Sequence, residues 1–166
     1  MRRLIVRALA TIEAGSLDHA VFRANLVLSK IYEWGREHGL EFNPSKTNGL
    51  LVTNRRKVNE FVILMNNEPI NIVSEIKYLG VVINRKLSWN SHVDYICKKA
   101  MNIYQQLIRT NGKFWGLSGD LLRTIYLNAI EPLICYASDS WDNCVNVQRN
   151  RDKLLSLQRR FAIMIT

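Results

Sequence analysis

The chain has 166 residues, 48% hydrophobic and 22% charged, enough apolar material for one packed domain or the tail of a larger one, which argues against a disordered segment. Lys and Arg number 23 against 14 Asp and Glu, a formal net charge of +9 with a pI near 9.7, so an anionic partner is expected, nucleic acid ahead of a membrane surface. Cys97, Cys135 and Cys144, like His19, His38 and His92, are scattered, which argues against a disulfide frame and against a zinc site.

The first ten residues pair two arginines with a short apolar run. Arg7 interrupts that run, so it is not a signal peptide, and no stretch is long enough to span a membrane. Leu4 to Leu9 reads as a strand whose partner must come from elsewhere. A strand so close to Met1 suggests that the natural domain begins earlier.

Ser16 is a candidate N-cap for a helix with Leu17, Ala20, Val21, Ala24, Leu28, Ile31 and Trp34 at helical spacing. Gly39 ends it as the residue after the C-cap. In Gly39 to Thr47, Pro44 fixes its own φ and pushes Asn43 towards an extended backbone, so a rigid turn is expected there. Lys46 leaves that turn just before a strand, Leu50 to Thr53. A lysine held so suits a phosphate contact, and a solvated turn lysine is the alternative.

Asn54 to Lys57 is a basic cluster in a turn. Phe61 to Met65 and Ile70 to Val73 are short β-rich segments joined by a hairpin-type connection at Asn66 to Pro69. With Leu50 to Thr53 and Lys77 to Ile83 they predict a small antiparallel sheet. Gly80 lies inside the last run, flanked by Lys77 and Arg85. A glycine within a strand marks a bulge or the close approach of another backbone or a ligand, and an ordinary packing glycine is the alternative.

From Asn90 the period changes. Val93, Ile96, Cys97, Ala100, Ile103, Tyr104, Leu107 and Ile108 form a helical stripe, with Lys98, Lys99 and Arg109 off it. Asn111-Gly112 stops this helix, and Lys113 to Leu117 is an aromatic and basic connector. Ser118 caps a further helix with Asp120 in its first turn. Pro132 is expected to kink or end it. After an apolar segment from Leu133 to Trp141, a last helix follows Gln148 to Arg151 and runs to Thr166.

Three stretches, taken in order, carry a family resemblance. They are Gly39 to Thr47 (Gly-Leu-Glu-Phe-Asn-Pro-Ser-Lys-Thr), Lys77 to Val81 (Lys-Tyr-Leu-Gly-Val) and Leu87 to His92 (Leu-Ser-Trp-Asn-Ser-His). With Trp115-Gly116-Leu117, Leu122 to Tyr126, Pro132 to Ser138, Trp141 and Leu157 to Arg160, they resemble the C-terminal part of the reverse transcriptase of non-LTR (LINE-type) retrotransposons. The resemblance covers about residues 17 to 166.

It implies an α+β fold, with a small antiparallel sheet and packed helix (a palm remnant, residues 1–89) followed by an all-helical, thumb-like region (90–166). It implies that Lys46 is the lysine of the fourth polymerase motif, on the pyrophosphate side of the reaction. Tyr78, Leu79 and Gly80 match the primer-grip hairpin of the fifth. Lys77, Arg85, Lys98 and Lys99 join them as candidate nucleic-acid contacts. An RNA template and a DNA primer are the implied partners, with cytoplasm and nucleus as the compartments. The family's cofactor is Mg²⁺, held by a first-motif Asp and an Asp-Asp turn. This chain has no Asp-Asp pair. Asp18, Asp94, Asp120, Asp139, Asp142 and Asp152 are scattered, so no metal ligand is expected. The Asp-Asp turn would fall just before Leu4 to Leu9. The expected product is a truncated or decayed reading frame without fingers, N-terminal palm or catalysis of its own. A non-catalytic, basic nucleic-acid-binding module and a non-functional remnant are the alternatives.

Overall fold

In a computed structural model, residues 9–110 and 116–166 are described. The strand expected from Leu4 to Leu9 lies outside the described residues except for Leu9, which is exposed and irregular. The Asn111-Gly112 stop and the first three residues of the connector also lie outside them. The chain divides into two compact units, the first ending at Ser74 and the second beginning at Glu75.

The first unit opens with helix α1, Leu17–Glu37. The Ser16 hydroxyl accepts the His19 N–H at 3.3 Å, the expected N-cap bond. At the other end Gly39 has φ +69°, a left-handed conformation that suits glycine. Its N–H bonds the Arg36 carbonyl and the Leu40 N–H bonds that of Gly35, which closes a Schellman motif. Pro44–Lys46 forms a single 3₁₀ turn. Asn43 before it is extended and accepts the Ser45 N–H at 2.9 Å.

Four short strands follow: β1 (Asn48–Leu50), β2 (Leu64–Met65), β3 (Glu68–Pro69) and β4 (Asn71–Val73). β2 and β3 are an antiparallel hairpin closed by Asn66 and Asn67. Both asparagines have positive φ (50° and 61°), as a two-residue type I′ turn demands. The Leu64 N–H donates to Asn25 Oδ1 at 2.9 Å, tying this hairpin to α1.

The second unit begins with an antiparallel hairpin of β5 (Glu75–Tyr78) and β6 (Val81–Asn84). Helix α2, Asn90–Thr110, follows. Asn84 holds the loop between them, donating to Ser88 Oγ at 2.8 Å and accepting the Ser88 N–H at 2.9 Å. Ser118 caps α3, Gly119–Ile125, through a bond from the Leu121 N–H. The helical run does not end at Pro132. It passes through a π-turn, Tyr126–Ile130, into α4, Glu131–Cys135, with the Glu131 N–H bonded to the Tyr126 carbonyl five residues back. The widened turn accommodates a proline that supplies no N–H. Ala137 reverses the chain at φ 54°, and the Trp141 indole N–H clamps the reversal on the Tyr136 carbonyl at 2.9 Å. Short helix α5 (Ser138–Trp141), a 3₁₀ turn and helix α6 (Gln148–Ile165) complete the unit.

The α+β class is as expected, but the sheet differs in detail. Instead of one antiparallel sheet, the described residues form three two-stranded ladders, and β1 pairs with β4 in parallel. Residues 51–63 contain no strand. β-propensity marks residues that suit a pleated, half-buried surface and does not name their partner. The run from Lys77 to Ile83, read as one strand, is the β5–β6 hairpin, with Leu79 and Gly80 as its turn.

The core of the second unit is built from Val93, Ile96, Ala100, Ile130, Ile134, Trp141, Cys144, Leu157 and Phe161. Phe161 is enclosed by Tyr104 and Tyr126, with ring centroids 5.2 and 5.6 Å away. Asn150 is buried and donates to Asn90 Oδ1 and to the Cys144 carbonyl. His92 is 1% exposed, lies edge-on to Trp141, and accepts the Val82 N–H at Nδ1 (3.2 Å). An Nδ1 that accepts leaves the ring proton on Nε2. Burial pushes the His92 pKa below its ordinary 6.5.

Above pH 6.5 the neutral His92 contributes fully. As pH falls below that value the unfolded chain takes up a proton that the folded chain resists, so stability should decline. Thermal midpoints from about pH 7.5 to about pH 5 should show this slope, and His92→Asn should flatten it. An unchanged slope would assign the effect to other groups. Glycine is required at two further places. A Cβ on Gly119 would lie 2.8 Å from the Ile165 carbonyl oxygen, and one on Gly80 (φ +85°) would lie 3.2 Å from the Tyr136 ring. Gly119→Ala should cost about 1–3 kcal/mol by denaturant titration. Gly80→Ala should cost roughly 1 kcal/mol or more; a neutral result at either position would refute the packing assigned there.

Candidate nucleic-acid interface

The β5–β6 hairpin displays four of the candidate residues, Lys77, Tyr78, Leu79 and Gly80. Alternation along β5 leaves Glu75 and Lys77 exposed and Ile76 and Tyr78 half-buried. Register sets Lys77 opposite Val82 and Tyr78 opposite Val81. The two-residue turn between them needs positive φ at both positions, and Leu79 (45°) and Gly80 (85°) supply it. Among the described residues Leu79 is the most exposed large apolar side chain, at 71%.

That turn is anchored inside its own unit. The Tyr136 hydroxyl donates to the Leu79 carbonyl at 3.0 Å. The same ring occupies the space beside Gly80. The sequence reads Gly80 as the approach of another backbone or a ligand, with a packing glycine as the alternative; the neighbour found there is a side chain, the Tyr136 ring. No local signal marks Tyr136, which lies 57 residues from Leu79 in the chain.

Lys77 does not stand alone. Its Nζ donates to the Tyr95 hydroxyl at 2.7 Å and lies 4.2 Å from that ring's centroid. Tyr95 is on α2, and Lys98 and Lys99 follow it by three and four residues, so all three share one helical face. The Lys77 hydrogen bond holds the Tyr95 phenol below its ordinary value of 10.0, and the charges of Lys77 and Lys99 act in the same direction, while burial opposes them. The structure thus gathers Lys77, Tyr95, Lys98 and Lys99 on one surface. Tyr95 was not among the sequence candidates, although a tyrosine one turn before two lysines on a polar face was a readable signal.

The remaining candidates are placed differently. Arg85 is half-buried just after β6. Lys46 lies in the first unit, exposed at the end of the Pro44–Lys46 turn and two residues ahead of β1, as its sequence context suggested. The basic cluster Arg55-Arg56-Lys57 is exposed in irregular backbone. In the second unit Asp94 binds Arg149 (3.4 Å) and Lys153. Arg159 and Arg160 are exposed on α6.

The carboxylates do not fit a pair of divalent cations. Among the described residues no three or more His, Cys, Asp or Glu side chains come close enough to hold a metal ion. Asp94 is already committed to two cations, and Asp18, Asp120, Asp139, Asp142 and Asp152 are exposed on separate turns. No step through Mg²⁺ is derived from these residues. Among the described residues no helix is long and apolar enough to cross a membrane.

No protein-family model and no solved structure matches the chain. Known proteins do. It is 27% identical over 145 residues to a retrovirus-related Pol polyprotein from type-1 retrotransposable element R1 4 of Nasonia vitripennis, covering 76% of this chain and 36% of that protein. A second Nasonia R1 Pol polyprotein is 24% identical across 82% of this chain and 38% of its own length. A probable RNA-directed DNA polymerase from transposon X-element of Drosophila melanogaster is 27% identical over 137 residues, 81% of this chain and 14% of that protein. The chain thus spans between a third and two fifths of the Nasonia relatives it matches. Its homologues are R1 retrotransposon Pol polyproteins and an X-element RNA-directed DNA polymerase, in keeping with the non-LTR reverse-transcriptase resemblance of its motifs.

Proposed function

We propose that the chain is the C-terminal palm and thumb portion of a retrotransposon reverse transcriptase, and that it binds template–primer without catalysing extension. The observation that carries the reading is the similarity to Pol polyproteins over three quarters or more of the chain. The surface chemistry agrees with it. The unit from Glu75 onward carries thirteen Lys and Arg against seven Asp and Glu. Such an excess favours a polyanionic backbone, whose phosphates position a duplex without reading its sequence.

In this reading residues 1–89 are the palm end and 90–166 the thumb-like region. The compact division at Ser74 falls ahead of that boundary because the β5–β6 hairpin packs with the helices. The hairpin serves as primer grip. With Tyr136 beside Gly80, a primer strand would meet the turn on its open side, at the exposed Leu79. Lys46, held at the end of a proline-stiffened turn, is the pyrophosphate-side lysine of a complete enzyme. Arg85, Lys98 and Lys99 are backbone contacts. An RNA template and DNA primer are the partners, and the metal-binding carboxylates would have to come from outside the described residues.

Two assays on the purified chain test this. Fluorescence anisotropy with a labelled RNA–DNA hybrid should show binding that does not depend on sequence and weakens steeply with salt, losing about 10³-fold or more between roughly 50 and 200 mM if six or more phosphates are contacted. Primer extension with Mg²⁺ or Mn²⁺ should give no product. Extension would overturn the non-catalytic part of the reading. No binding at low salt would overturn the nucleic-acid part and favour a non-functional remnant.

A further inference from the structure

The Lys77–Tyr95 pair has a chemical asymmetry. The phenol oxygen accepts from the Lys77 ammonium at 2.7 Å, so its acceptor capacity is engaged while its own O–H stays available to donate. The ammonium has three N–H groups, of which Tyr95 takes one. Lys99, one helical turn beyond Tyr95, adds a third donor group on the same face, close enough for its charge to act on the phenol. Among the described residues the salt bridges do not include Lys77 or Lys99; the nearest acid along α2, Asp94, is held by Arg149 and Lys153, and Glu75 shares the exposed face of β5 with Lys77. The cluster offers donors and positive charge and almost no acceptor.

We propose that Lys77, Tyr95 and Lys99 form a site for a single backbone phosphate of a bound nucleic-acid strand, with Lys77 and Lys99 as contacts and Tyr95 as the positioning residue that fixes the Lys77 ammonium. A lysine is a flexible point charge that loses side-chain entropy whenever it makes a contact. The phenol removes part of that freedom before the strand arrives, so the hairpin and α2 present one prearranged donor group. The proposal rests on the nucleic-acid reading above and assigns the residues that engage one phosphate.

The test compares salt dependence and coupling in the full chain, using the labelled RNA–DNA hybrid. The double change Lys77→Ala with Lys99→Ala should lower the magnitude of the log affinity against log salt slope by about 0.9, the share of one phosphate, and each single change should lower it by less. Tyr95→Phe removes no charge, so it should leave the slope unchanged and weaken binding several-fold at fixed salt. In the Lys77→Ala background the further change Tyr95→Phe should cost much less, since the hydroxyl then has no ammonium to hold. A purely structural role for Tyr95 would give the same loss in both backgrounds. Lys30→Ala, an equal charge change on α1, serves as the reference. If it lowers the slope as much as Lys77→Ala, the effect is one of net charge and the site is refuted. Circular dichroism and melting confirm that each variant folds; should Lys77→Ala unfold, Lys77→Gln replaces it. If the wild-type chain does not bind the hybrid, the functional reading fails. If it binds steeply but the Lys77 and Lys99 slopes do not move, only this site fails.

Discussion

The hydrogen bond from the Val82 N–H to His92 Nδ1 is the constraint on which the second unit most depends. It joins the β5–β6 hairpin to α2 at a point that water does not reach. A buried ring that must accept on one nitrogen is restricted to one tautomer and to the neutral state. The other nitrogen, Nε2, is buried with no protein partner, so the arrangement already carries one unsatisfied polar group. Such a group raises the cost of any disturbance at this junction. The aromatic neighbours Trp89, Tyr95 and Trp141 surround the ring and keep the site dry.

The placement of the interface residues follows from that junction. With Val82 fixed to α2, the opposite residue of the ladder, Lys77, falls within reach of Tyr95. At the far end of the same hairpin, Tyr136 holds the turn by its hydroxyl and fills the space beside Gly80. The hairpin is thus fastened at its middle and at its tip by residues of the helical layer. A two-stranded ribbon is marginally stable alone, and here its rigidity is borrowed from the helices. That is the physical reason it belongs to the second compact unit.

Much of the local structure was legible in the chain. Ser16 and Ser118 read as N-caps and Gly39 as a helix stop, because each is a bond between near neighbours with a strong residue preference. The stripe from Val93 to Ile108 predicted α2 because helical periodicity survives any tertiary context that buries one face. Pro132 reads as a kink or an end of its helix; the helix does not end there, and the irregularity is a π-turn just ahead of the proline. The continuation through it depends on a π-turn whose extra residue has no sequence mark. Lys77 to Ile83 read as a single strand because Val81, Val82 and Ile83 are all β-formers, while the positive φ of Leu79 breaks the run where no propensity predicts it.

By itself, then, the sequence determined the helices, their caps, the basic excess and the kinship of its motifs. These rest on periodicity, on contacts a few residues apart and on composition. The tertiary structure alone decided which short strands pair and in which direction, and that Gly80 meets Tyr136. It also decided that Lys77 meets Tyr95. Each of these joins residues far apart in the chain, and such pairings are selected by packing and burial across the fold, which no local preference encodes.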